Sequence, residues 1–148
     1  MMFKKDFVLV GTMALLLTGC ATPNVEDIFT QQPDKDYSNM YLRGVFNWWE
    51  ASDAFKLRSV SLDEYAVVIE LIADGQPYDF KVADSGWAND LNCGVEYGQQ
   101  TLKLDDTIEL YCAADSANLQ FTPSETGNYR FVFDVSDNDE PELTIIKI

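Results

Sequence analysis

The sequence predicts an all-β sandwich of immunoglobulin-like size, on three observations. Short runs with alternating apolar and polar residues recur from residue 39 onward. Clusters of Gly, Pro, Asn and Asp separate them at regular intervals. No segment carries the i, i+3, i+4 apolar stripe of a helix that packs on a core.

The first run, Met40 to Phe46, places Leu42, Gly44 and Phe46 on one side and Tyr41, Arg43 and Val45 on the other. Glu64 to Ile72 is nearly continuous and β-branched, which suits a central strand. A turn at Asp74-Gly75-Gln76-Pro77 joins it to Tyr78–Asp84, where Tyr78, Phe80 and Val82 alternate with Asp79, Lys81 and Ala83. Two runs follow, 101–104 and 107–112, separated by Asp105-Asp106, with Leu102, Leu104, Ile108, Leu110 and Cys112 expected inward. Asn118–Phe121 comes next, then a turn at Ser124–Gly127. Asn128–Val135 places Tyr129, Phe131, Phe133 and Val135 on one face. An acidic turn, Ser136–Glu142, leads into the last strand, Leu143–Ile148.

The N-terminus reads as an export signal. Lys4 and Lys5 precede an apolar stretch, Phe7–Leu17, that is short for a bilayer span. It ends at Leu17-Thr18-Gly19-Cys20, which resembles the bacterial lipobox. The resemblance implies cleavage after residue 19 and lipid on Cys20. Several acyl chains anchor stably where a single chain is marginal. Ala21, in place of the Asp that favours inner-membrane retention in the enterobacterial pattern, points to the outer membrane. The expected plan is a signal at 1–19, lipidated Cys20 with a polar, proline-containing tether to residue 38, and a domain at 39–148. In an exported protein Cys93 and Cys112 form a disulfide by default, and the sequence holds no His to complete a zinc site. No cofactor is expected beyond the covalent lipid.

The net charge is −15. Such a surface repels phosphate backbones, which argues against nucleic acid as a partner, and it repels anionic lipid, so the lipid anchor must supply membrane attachment.

Three segments carry a further resemblance. They are Tyr41–Trp49 (YLRGVFNWW), Tyr78–Trp87 (YDFKVADSGW) and Gly127–Phe131 (GNYRF), in that order. Together they resemble the early-set β-sandwich modules associated with pullulanases and isoamylases, and the related glycogen-binding modules. That family shows G-x-F-N-x-W on its first strand, Y-x-F-K-[IV]-A-x-x-x-W on a hairpin arm and G-x-Y-x-F late. The pullulanase-associated branch also ends on Pro-x-Leu-Thr, as Pro141–Thr144 does here. The resemblance implies α-glucan binding without catalysis. Trp49 and Trp87 match the stacking tryptophans, and Trp48 lies beside the first. Lys81 matches the Lys of the pullulanase-associated branch, whereas the glycogen-binding branch has its sugar-bonding Lys at the position of Asp79. Asn89, Asp90 and Asn92 follow Trp87 and could bond hydroxyls. The glycogen-binding branch carries an Asn near its C-terminus where this chain has Ile145-Ile146-Lys147.

The physical basis does not depend on the family. Sugar rings have apolar C–H faces, and an exposed indole offers them a flat apolar surface with few rotamers to freeze. The same residue types also serve packing. Tryptophan is usually well buried, and of Trp48 and Trp49 one should face inward and one outward.

Absence of His excludes Ser/His and Cys/His nucleophiles, and no phosphate-cradling glycine loop occurs. The expected protein is therefore not an enzyme. Ser136–Glu140 has calcium-type oxygens but lacks the EF-hand spacing and its glycine, so a solvated turn is expected. The alternative to glucan binding is an envelope lipoprotein that recognises another protein, envelope or secreted, through an edge strand or aromatic patch.

Overall fold

A computed structural model describes residues 35–148. The expected signal, Cys20 and the expected tether as far as residue 34 lie outside the described residues. The described chain forms eleven strands in two sheets. In chain order they are β1 (Tyr41–Gly44), β2 (Arg58–Ser59), β3 (Glu64–Leu71), β4 (Tyr78–Ala83), β5 (Asn92–Gly94), β6 (Gln100–Leu102), β7 (Thr107–Glu109), β8 (Tyr111–Cys112), β9 (Leu119–Phe121), β10 (Gly127–Asp134) and β11 (Glu142–Lys147). Single 3-10 turns occur at Val45–Asn47, Asp53–Phe55 and Asn89–Leu91.

One sheet is built around β4. Phe80 pairs with Gly44 of β1 and with Leu119 of β9, so β1 takes one edge of β4. β9 and then β5 share the other, and β6 and β8 close the ends. The second sheet runs β2-β3-β10-β11-β7. Its centre is the long β3–β10 ladder, in register from Gly127↔Leu71 to Asp134↔Glu64. The outermost strands are four residues long or fewer, which leaves little unpaired edge for another chain to extend.

The apolar alternation of each strand fills the space between the sheets. Phe80 of β4 meets Phe131 of β10 edge to face at 5.4 Å, and Phe121 of β9 meets Tyr129 at 5.5 Å. Leu42, Val82, Ile69, Leu71, Phe133, Leu143 and Ile145 complete the layer. Tyr129 turns its hydroxyl to the carbonyl of Glu125, four residues upstream, at 2.5 Å. The all-β sandwich expected from the sequence is the fold observed.

Three details differ from the expectation. The run 107–112 is two strands in different sheets, β7 on β11 and β8 on β5. The chain changes sheet at Leu110, whose N–H donates to Pro141 O at 2.7 Å. Strands β2 and β5 were not foreseen, being two and three residues long. The folded part also begins before residue 39. Tyr37 is buried against Phe133 at 5.4 Å, and its hydroxyl donates to Asn138 O at 2.7 Å. Cys93 and Cys112 lie directly opposite one another on β5 and β8 and are joined by a disulfide. Closing that loop, of sequence separation 19, contributes about 3 kcal/mol in the chain-entropy account.

Candidate functional site

The candidate site is built on the outer face of the β1–β4 pair and on the loops that follow each strand. Gly44 ends β1 where no side chain fits. A Cβ there would lie 2.6 Å from both Asp79 O and Phe80 Cβ. The chain then turns through Val45–Asn47, and Asn47 holds the turn from inside. Its Oδ1 accepts from Gly44 N–H at 2.9 Å, and its Nδ2 donates to Leu42 O and Glu50 O at 3.0 Å each. Phe46 lies flat on Phe55 at 5.3 Å. So Gly44, Phe46 and Asn47 of the first motif shape the loop, and the residues it presents are Trp48 and Trp49.

The second loop leaves β4 at Ala83. Asp84 Oδ1 accepts from Ala88 N–H at 2.8 Å, and Asp84 N–H donates to Leu91 O at 3.2 Å. This closes a tight turn with Trp87 on it.

All three tryptophans of the sequence occupy the left-handed backbone region: Trp48 at φ 56°, Trp49 at φ 63° and Trp87 at φ 55°. Among non-glycine residues that region suits Asn and Asp, and for a bulky side chain it is strained. Each such residue costs on the order of 1–3 kcal/mol and persists where its surroundings enforce it. At the outermost of them, Trp48, packing offers little to offset that cost. Trp48 is 87% exposed and Trp87 is 36% exposed, whereas Trp49 is half-buried.

Arg43 joins the two loops, and the sequence reading did not single it out. It projects from β1 on the outer face and is only 7% exposed. Its Nε–H donates to Trp49 O at 2.7 Å, and Nη1 donates to Asp84 O at 2.8 Å and Ser85 O at 3.3 Å. Its guanidinium carbon lies 3.8 Å from the centroid of the Trp87 ring. Burial lowers the guanidinium pKa, and Asp84 offsets part of that. A strand arginine flanked by apolar neighbours, next to a Gly-Val-Phe-Asn turn, was the available signal.

Lys81 is removed from the candidate set. It stands opposite Arg43 on β4, but it is 6% exposed and its ammonium donates to Ser116 O at 2.5 Å. Burial lowers its pKa, with Asp115 acting in the opposite sense. The segment 113–117 covers this part of the outer face, so the amine props that segment and is not offered to a ligand. Asn92 is likewise a buried strand residue, and its Oδ1 finds no hydrogen-bond partner among the described residues. Asn89 and Asp90 are exposed on the 3-10 turn directly after Trp87, where they can meet a bound molecule. The acidic turn satisfies itself: Asp137 Oδ1 accepts from Asp139 N–H and Glu140 N–H at 3.1 and 3.3 Å. Among the described residues no group of three or more His, Cys, Asp or Glu is gathered to hold a metal ion.

The architecture has a counterpart among solved structures. It resembles the ligand-induced structure of AmyP-SBD, a starch-binding domain, with a TM-score of 0.55 over 93% of this chain and 96% of that one. The chain shares the fold of that domain. Sequence identity in this match is 16%, so the likeness is one of fold, and residue roles rest on the geometry above. No family model and no curated protein matches the chain.

Proposed function

We propose that this chain is a non-catalytic α-glucan-binding lipoprotein, anchored through Cys20 in the outer membrane, with Trp48 and Trp87 as its stacking surfaces. The observation that carries the reading is the placement of every tryptophan at a left-handed position on two adjacent loops. At the exposed Trp48 a stability-driven sequence would put Gly or Asn. Indoles held in that conformation and left accessible suit the apolar face of a sugar ring. Asn89 and Asp90 flank Trp87 and supply hydroxyl partners at the rim. Trp49, half-buried, braces the first loop. The carbohydrate-binding-module-like fold supports the same reading. Absence of His removes the common nucleophile–base pairs, in keeping with a binding role.

With so few contacts, affinity of order 0.1–1 mM is expected. Calorimetry with maltoheptaose on the mature chain, held in a detergent without a sugar headgroup, tests this. Trp48→Ala and Trp87→Ala should each weaken binding about tenfold, near 1.4 kcal/mol. Equal binding of cellohexaose, or no heat with either sugar at millimolar concentration, contradicts the proposal.

A further inference from the structure

We propose that Arg43 is the positioning residue of this site, locking the two tryptophan loops into one preorganised platform. For its sugar consequence this rests on the reading above, but the geometry stands without it. A buried arginine placed for stability alone is normally paired with a carboxylate. Among the described residues the ion pairs are Lys35–Asp139, Arg58–Asp53 and Lys147–Glu125, and none of them involves Arg43. Its cross-strand neighbour is another buried cation, Lys81. A pair of like charges there works against folding.

What Arg43 gains is three carbonyls and an aromatic face, drawn from two separate segments. One carbonyl, Trp49 O, belongs to the first loop, and Asp84 O and Ser85 O belong to the second. The planar fork reaches both at once and still stacks on Trp87, which a lysine's single ammonium cannot do. Both backbone polar groups of Trp49 are held. Its N–H donates to Gly44 O at 2.9 Å, and its carbonyl accepts from Arg43. Trp48 is thereby fixed between Asn47, which caps the turn, and Trp49. Arg43 thus meets the first loop at the Trp49 carbonyl and the second at Asp84, Ser85 and the Trp87 ring.

A frame of this kind lowers the ordering entropy lost when an oligosaccharide binds across both loops. It predicts length dependence. A maltoheptaose that spans the platform gains from it, and maltose, which engages one ring, does not.

The test uses 15N relaxation of the indole N–H groups in the mature chain, first without sugar. In wild type the Trp87 indole should be rigid, with an order parameter near 0.85. In Arg43→Lys it should fall below about 0.6, while amides of Phe80 and Phe131 keep their wild-type values. An unchanged Trp87 order parameter in a folded Arg43→Lys chain overturns the proposal. Should that chain not fold, Trp87→Ala supplies the reciprocal measurement. Removing the ring should shift the Trp49 amide and loosen the Trp48 indole, and undisturbed Trp48 and Trp49 signals overturn the proposal. The sugar arm follows. Arg43→Lys should reduce the ratio of maltoheptaose to maltose affinity at least tenfold, and a preserved ratio overturns the platform claim. A wild-type chain that binds neither sugar rejects the glucan reading, and the sugar-free relaxation result then decides the frame by itself.

Discussion

Trp48 and Lys81 show how differently two candidate side chains behave. Trp48 is 87% exposed and left-handed, so replacing it with Gly removes strain and almost no packing. Relief of about 1–2 kcal/mol opposes an extra unfolded-state entropy of about 0.5–1 kcal/mol. Trp48→Gly should therefore melt at or above the wild-type temperature while sugar binding falls, a separation of stability from function. A drop in Tm of more than about 5 °C would show that the indole serves packing. Lys81→Met keeps the side-chain stem and removes a buried charge, so stability should change by less than about 1.5 kcal/mol in either direction. Its maltoheptaose affinity should stay within about twofold of wild type by calorimetry, because the amine is turned to Ser116 O. The sequence could not disclose this. Strand alternation assigns Lys81 to the outer face correctly, but it is silent on what covers that face, and here the segment 113–117 does. Arg43 was hidden for a related reason, since its partners are backbone carbonyls, one in the following turn and two about forty residues on.

At the scale of the element, period-two patterning reads strands well and their ends poorly. The long strands β3, β4, β10 and β11 were legible because each has an unbroken apolar face. β2 and β5 were not, being too short for a period to show. The split at Leu110 was invisible because both halves of 107–112 turn apolar residues toward the same core from different sheets. The end of β1 is where local geometry matters most for the site. Gly44 is in extended backbone, so its requirement is space. An added methyl would press on Asp79 O and Phe80 Cβ at 2.6 Å and on Phe46 Cζ at 2.9 Å, and two of these three atoms belong to β4. Gly44→Ala should destabilise by about 2–3 kcal/mol. Urea denaturation checks this, with a lower midpoint and an unchanged slope expected, and a midpoint equal to wild type would show that β1 can move aside.

For the whole molecule, charge and the N-terminal seam set the pH behaviour. The chain carries a net charge of −15, and its acidic turn lies against Lys35 and Tyr37. Tyr37 is sealed there, and its phenol is pushed from 10 up to about 12, by burial first and then by Asp139, Asp90 and Asp137. Between pH 10 and 12 the unfolded chain loses this proton and the folded chain keeps it. Stability from this group is complete below pH 10 and is lost as pH rises through that window. Lys81 acts in the opposite sense, since its pKa is lowered, and relieves the fold as pH climbs toward its ordinary value. Comparing Tyr37→Phe with wild type isolates the first effect: the variant should show a shallower fall in urea midpoint between pH 10 and 12. Parallel curves for the two proteins would contradict it. The boundary drawn from sequence at residue 39 missed this seam because Lys35 to Ser38 are mostly polar, and the burial of Tyr37 depends on Phe133 and Asn138, about a hundred residues away.

On the reading proposed above, indoles on two loops form one surface for a glucan. This is tested most directly by titrating maltoheptaose into the 15N-labelled chain and following the three indole N–H signals. The Trp48 and Trp87 signals should move together, along one saturation curve, before any core amide responds. Indole signals that stay fixed to about 10 mM sugar, ten times the weakest affinity expected from these contacts, would contradict it.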